Sequence, residues 1–525
     1  MLASVVVEIA RDPHLPYASP ARRGRSSTDA LTADIVHGLA RGLRARVVET
    51  HISWVLLAGD RAYKIKKPVR LPFVDYGTLD SRRHFCEEEV RLNQRLAPGL
   101  YLGVTRITGT RRSPRLDGRG PLLEYAVCMA RFAPGALFSE RIEAGALLDA
   151  EVDALALLLA DFHTHAPVAT ASDGLVDVAE RRNSALAALA GVTGLASVVG
   201  IGGSDGTTAL VAWLEREADV LEPLWTQRMA NGHVRECHGD LHLDNVLAWD
   251  GQVIAFDCVE FSPVLRWIDV IDDLAFAVMD FDAFGRRDFA FRLLNRWLDH
   301  TGDHAALPAL PFAVVYRALV RAQVEGLRGA ARAAAARRYL ARAEAWTRPR
   351  QARLVITHGL PGSGKTTQSQ QWLEANGAIR LRSDVERKRL FGLAPTDCSQ
   401  AQGVDIYRAE DSARVYAHLL EQARALLAAG YPVIVDAAFL RRAERADAQA
   451  LALSLGVPFS ILACSATMPV LRKRISARKG DASEADVQVL ERLATLAEPL
   501  TRSERAMVLP VPLVVRSREP LPVPA

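Results

Sequence analysis

Residues 359–366 read Gly-Leu-Pro-Gly-Ser-Gly-Lys-Thr, directly after the apolar run Leu354-Val355-Ile356 and before a helical segment. This strand, glycine loop and helix constrain the fold more than any other feature. The glycines let successive backbone N–H groups curl around a phosphate, and the helix N-terminus adds the positive end of its dipole. The C-terminal part is therefore expected to be an α/β domain that binds ATP. Gly359, Gly362, Ser363, Gly364, Lys365, Thr366 and Thr367 surround the phosphates in this reading. Lys365 reaches the β- and γ-phosphates and the Thr366 hydroxyl holds Mg²⁺.

Apolar segments at 354–357, 379–381, 433–436, 460–463 and 508–515 alternate with helical text, the pattern of a parallel sheet with crossovers. The second strand runs into Arg382-Ser383-Asp384-Val385-Glu386-Arg387. A carboxylate there can take the proton of an acceptor hydroxyl; equally, Ser383 or Asp384 can cap the following helix. Val433-Ile434-Val435 ends in Asp436, the position of a Mg²⁺-orienting acid. Arg474 and Arg478 lie four apart on one helix face, suited to a lid that neutralises charge or to a solvated basic helix. Over about 352–510 these elements resemble the small P-loop kinases related to polynucleotide kinase, gluconate kinase and zeta-toxin-like enzymes. The resemblance implies ATP-dependent phosphorylation of a hydroxyl, with Asp384 at the family's base position. It leaves the acceptor open.

A second constellation lies at Cys237-His238-Gly239-Asp240-Leu241-His242-Leu243-Asp244-Asn245. Asp240 and Asn245 have the spacing of a kinase catalytic loop, in which the Asp accepts the substrate proton and the Asn holds a metal. Twelve residues on, Ile254-Ala255-Phe256 ends in Asp257, where a second Mg²⁺ ligand belongs. His238, His242 and Asp244 without a closed zinc set, or a plain polar turn, are the competing readings. The segment resembles the aminoglycoside phosphotransferase superfamily, relatives of protein kinases, over about 45–345. That resemblance implies a small N-lobe and a helical C-lobe, with Lys64 or Lys66 as the ATP-binding lysine. Lys64 is the preferred choice, with its ion-pair partner at Glu88 or Glu89 on a helix over 81–96, Glu89 being taken here. It also implies an adenine hinge at Met129 to Phe132 and a structural Asp273-Leu274-Ala275. The chain departs from a strict glycine loop: the turn before Lys64 reads Glu49-Thr50-His51-Ile52-Ser53-Trp54.

At 525 residues the chain is too long for one ordinary core. The expected division is a lead-in at 1–44, a kinase-like α+β bilobal domain at 45–350 and a P-loop domain at 351–525. This order resembles bacterial fusions of a phosphotransferase with an ATP-binding protein. The net charge of +4 gives no push toward nucleic acid or membrane. Six scattered cysteines without a CxxC pair fit a reduced, cytoplasmic setting. Seven arginines at 328–350 read as an exposed amphipathic helix or as a nucleic-acid footprint. Each domain is thus expected to transfer the γ-phosphate of ATP, with Mg²⁺, to a small-molecule hydroxyl. The rivals are a degenerate, nucleotide-sensing N-terminal domain that regulates its neighbour, and a nucleic-acid 5′-hydroxyl kinase or binding factor.

Overall fold

A computed structural model of the chain describes residues 27–71, 74–170, 178–199, 204–395, 397, 399, 409–477 and 482–510. It divides into two compact units. Where a single crossing near residue 350 is expected, the chain crosses three times, because Gly285–Pro308 groups with the segment from Arg348 onward. The cause is a helix, Arg287–Thr301, whose buried face packs on the second unit's sheet.

The first unit opens with helix Ser27–Leu43, inside the expected lead-in. Val36 and Leu39 of this helix bury against Trp54, Leu56 and Ile65, so it belongs to the lobe's core. The sheet is antiparallel throughout, in the order Arg46–Glu49, Ser53–Ala58, Arg61–Lys66, Leu122–Ala130, Tyr101–Thr110, Ser113–Leu116. Its first two strands form a hairpin whose turn is closed by Thr50 and Ser53. Helix Leu79–Asn93 is capped by Thr78, whose side chain accepts from the Ser81 N–H. Its buried positions Arg82, Cys86, Glu89 and Asn93 recur every three or four residues on one face. A mostly helical lobe follows, in which Val270–Ala283 and Leu310–Leu327 are buried along nearly their whole lengths.

The second unit is built on a parallel sheet in the order Ile379–Arg382, Val433–Asp436, Leu354–His358, Phe459–Ala463. Val508 adds a parallel bridge to Ile461; the rest of the fifth expected strand, 511–515, lies outside the described residues. Helix Lys365–Asn376 starts at Gly364, whose φ of 96° is left-handed. Among the described residues no helix is long and apolar enough to cross a membrane.

Candidate active sites

In the first unit, strand Arg61–Lys66 places Lys64 and Lys66 on one face, pointing at helix Leu79–Asn93. Lys64 Nζ donates to Glu89 Oε1 at 2.8 Å and to Asp257 Oδ1 at 2.6 Å. Lys66 Nζ donates to the other oxygen of Glu89 at 2.7 Å and to Glu260 Oε1 at 2.5 Å. The Tyr76 hydroxyl also donates to Glu260, at 2.6 Å. Burial disfavours the charge on Lys64, but Asp257 and Glu89 more than offset it and hold the ammonium well above its ordinary value. Glu88 points elsewhere, to Arg91 and Arg266. Of the two lysines, Lys64 is the one that touches Asp257.

The loop with Asp240 hangs from Asp273 on helix Val270–Ala283. Asp273 accepts the backbone N–H groups of His238 at 3.1 Å and Gly239 at 2.8 Å, and pairs with His163 Nε2 at 3.1 Å. Burial raises its carboxyl, yet the bonds from His163 and Gly239 win and draw it down to about 2. Gly239 sits at φ 85°, where a Cβ would stand 2.7 Å from the Leu265 carbonyl oxygen. His238 gives Nε2 to the Phe256 carbonyl, and Nδ1 accepts the Asp240 N–H, so neither nitrogen is left for a metal. Asn245 donates Nδ2 to the Asp240 carbonyl at 2.9 Å, leaving Oδ1 as the atom suited to a cation. Asp257 holds φ at 64°, a left-handed conformation costly for a residue with a Cβ, and its N–H donates to the Tyr101 hydroxyl. Met129 and Phe132 of the expected hinge border an apolar cluster with Ala62, Val127, Leu247 and Phe256.

Most of the arginine-rich segment is engaged within the first unit. Arg328 and Arg332 pair with Glu325, Arg342 lies near Asp282, and Arg338 stacks over Phe284 and Tyr339.

In the second unit, Gly359 passes so close to the neighbouring strand end that a Cβ would lie 2.2 Å from the Cys464 carbonyl oxygen. Gly362 and Gly364 take φ of 79° and 96°. Lys365 Nζ folds back onto the carbonyls of Gly359 and Leu360 at 3.0 Å each. Among the described residues the buried Ser363 hydroxyl has no hydrogen-bond partner, the condition expected of a cradle shaped for an anion. A cleft of about 1140 Å³ opens on this loop. Thr366, Thr367, Asp384, Asp436 and Arg474 all line it, together with Tyr416 and Arg387, which the motifs do not single out.

Asp436 Oδ2 accepts from the Ser369 hydroxyl at 3.1 Å, and Arg474 donates to the Gly362 carbonyl at 3.0 Å. Arg478 lies outside the described residues. The capping alternative for Asp384 loses its basis: helix Ser383–Leu390 is entered from Arg382, so Asp384 is a first-turn residue beside the cleft. The donor set of Asp436 carboxylate and Thr366 hydroxyl is oxygen-only, as Mg²⁺ requires, and fits the ion.

Two groups of buried residues escape sequence motifs. Glu260 lies three residues past Asp257 in apolar text, and its carboxylate is signalled only by its burial. Asn295 and Asp299 sit on helix Arg287–Thr301, more than eighty residues from the groups they hold.

Residues 354–500 match the family model AAA_33, described as an AAA domain. The Mycobacterium tuberculosis protein Rv2004c, described as uncharacterized, is 33% identical over 458 residues, 85% of this chain and 89% of that protein. Among solved structures, a gluconokinase from Sinorhizobium meliloti is similar at 18% identity, covering 30% of this chain and 82% of its own, with a TM-score of 0.24. A choline kinase from Cryptosporidium parvum is similar at 9% identity over 59% of this chain and 95% of its own, with a TM-score of 0.37.

Proposed function

We propose, for a chain that belongs to the family of the Mycobacterium tuberculosis protein Rv2004c, an Mg-ATP-dependent phosphotransferase with two sites. The shared 458 residues exceed either unit, so both units are family features. One observation carries the reading: the second unit gathers Lys365, Thr366, Asp436, Asp384 and Arg474 around a single cleft.

At that site the loop N–H groups and Lys365 bind the phosphates. Asp384 accepts the proton of the acceptor hydroxyl as its oxygen attacks the γ-phosphorus and the bond to the β–γ bridging oxygen breaks, releasing ADP, while Arg474 steadies the loop and the charge that develops on the leaving phosphate. Thr366 and Asp436 would hold Mg²⁺, which would supply charge neutralisation at this site. The chemistry is positioning and electrostatics, with no covalent nucleophile from the chain.

The first unit supports a second site of the same chemistry. Asp240 serves as base, Lys64 with Glu89 grips the phosphates, and Asn245 with Asp257 would hold Mg²⁺. A sensor that has lost catalysis has no need to retain this whole set, which favours turnover. The acceptor in both cases is a small-molecule hydroxyl. A phosphate-transfer screen over sugars, nucleosides, aminoglycosides and oligonucleotide ends tests the reading, run with Lys365→Ala and Asp240→Ala. Each substitution is expected to remove one activity and spare the other. If both activities survive both changes, the assignment fails.

A further inference from the structure

The strand that leads to Asp384 lies at an edge of the parallel sheet and would leave backbone groups open there. Helix Arg287–Thr301 closes part of that edge. Asn295 Nδ2 donates to the Ala378 carbonyl at 2.9 Å, and Asn295 Oδ1 accepts the Arg380 N–H at 2.7 Å, so one side chain stands in for a neighbouring strand. One turn further, the buried Asp299 lies 3.4 Å from Arg380 Nη2 and 3.4 Å from Arg382 Nη1.

Arg380 and Arg382 are two apart on a strand and share a face. The register sets Arg382 directly opposite Asp436, whose side chain shares that face. Arg380 also donates to the Thr366 carbonyl at 3.4 Å. Two guanidinium groups therefore stand beside both residues of the candidate Mg²⁺ site, and a carboxylate from outside the motif faces them.

We propose that Asp299 is a positioning residue of the P-loop site: it holds the buried guanidinium of Arg380 off Asp436 and so keeps that carboxylate available to Mg²⁺. The inference rests on the Mg-ATP reading of the P-loop. Without Asp299 the buried guanidinium of Arg380 has Asp436 as its next carboxylate, and the arginine and the cation compete for one anion. The P-loop site is then completed by a segment that lies some sixty residues before the loop and among the first unit's helices in sequence.

The test is calorimetric binding of a non-hydrolysable ATP analogue at graded Mg²⁺, in the full chain carrying Lys64→Ala so that the P-loop alone responds. Asp299→Asn is expected to raise the half-saturating Mg²⁺ about tenfold, the usual size of an effect one shell from a metal. Binding at saturating Mg²⁺ should stay within about twofold, and Asp299→Asn with Arg380→Gln should return the requirement to within about twofold of the parent, because the competing cation is gone. An unchanged Mg²⁺ requirement in Asp299→Asn overturns the proposal, as does a double variant no better than the single one. Should Asp299→Asn fail to fold, the double variant is compared with Arg380→Gln alone, and a raised requirement in the double overturns it. Absence of Mg²⁺-dependent binding in the parent would instead refute the underlying P-loop reading.

Discussion

Lys66→Met separates the two lysines that share Glu89. Lys66 is 1% exposed, and its ammonium neutralises Glu260 and half of Glu89, neither of which reaches water. Methionine fills the same volume without charge, so the cost is electrostatic. Two buried carboxylates lose a partner: Glu89 keeps Lys64, while Glu260 keeps the neutral Tyr76 hydroxyl. Breaking a buried pair in this way costs about 3–5 kcal/mol. For a unit of this size that is a fall of roughly 4–7 °C in melting temperature. Differential scanning calorimetry of the first unit's transition should record it. Adding Glu260→Gln should recover a large part, since it removes the orphaned charge. ATP turnover at the first site, measured in a Lys365→Ala background well below the melt, should persist in Lys66→Met and vanish in Lys64→Met. A Lys66→Met variant that melts with the parent, or that loses turnover while Lys64→Met keeps it, would refute the assignment of roles.

Gly359→Ala should abolish nucleotide binding at the P-loop, because its Cβ would stand 2.2 Å from the Cys464 carbonyl oxygen at a φ of 151°; equilibrium dialysis with ATP at that site reads this directly. Asp273 is held at about 2, below its unfolded value of 3.8, so its contribution is full above pH 4 and is lost as pH falls toward 2. That contribution is about 2 kcal/mol, and Asp273→Asn should flatten this part of the acid-unfolding profile followed by circular dichroism. Asp384→Asn should leave ATP affinity within about twofold while cutting transfer at the P-loop site by about 10²–10⁴-fold, the range for loss of a general base; equal losses in affinity and rate would remove it from the base role.

What sequence revealed, and what it did not, follows from how local each signal is. The P-loop and the catalytic loop are contiguous, and their glycines and acids stand at fixed spacings, so Gly359, Lys365, Asp240 and Asn245 could be named at once. The two domain types were legible for the same reason. Glu88 and Glu89 were not separable from hydrophobic pattern because the buried face of their helix is itself polar, carrying Arg82, Glu89 and Asn93. Lys64 and Lys66 share a strand face, and only the position of Asp257 in space tells them apart. Helix Arg287–Thr301 reads as ordinary text of the first domain, because amphipathic periodicity says that a face is buried and not what buries it.

That helix also bears on heredity. A gene cut at codon 351 would carry every P-loop motif and still omit Asn295 and Asp299, which finish its sheet edge and face its arginines. A gene that keeps 1–350 would produce a helix whose packing partner had been left behind. Recombination that moves either half alone therefore yields two damaged products, whereas inheritance of the whole reading frame costs nothing. The splice of one helix into the other unit's text acts as a genetic rivet, binding the two units to a shared line of descent.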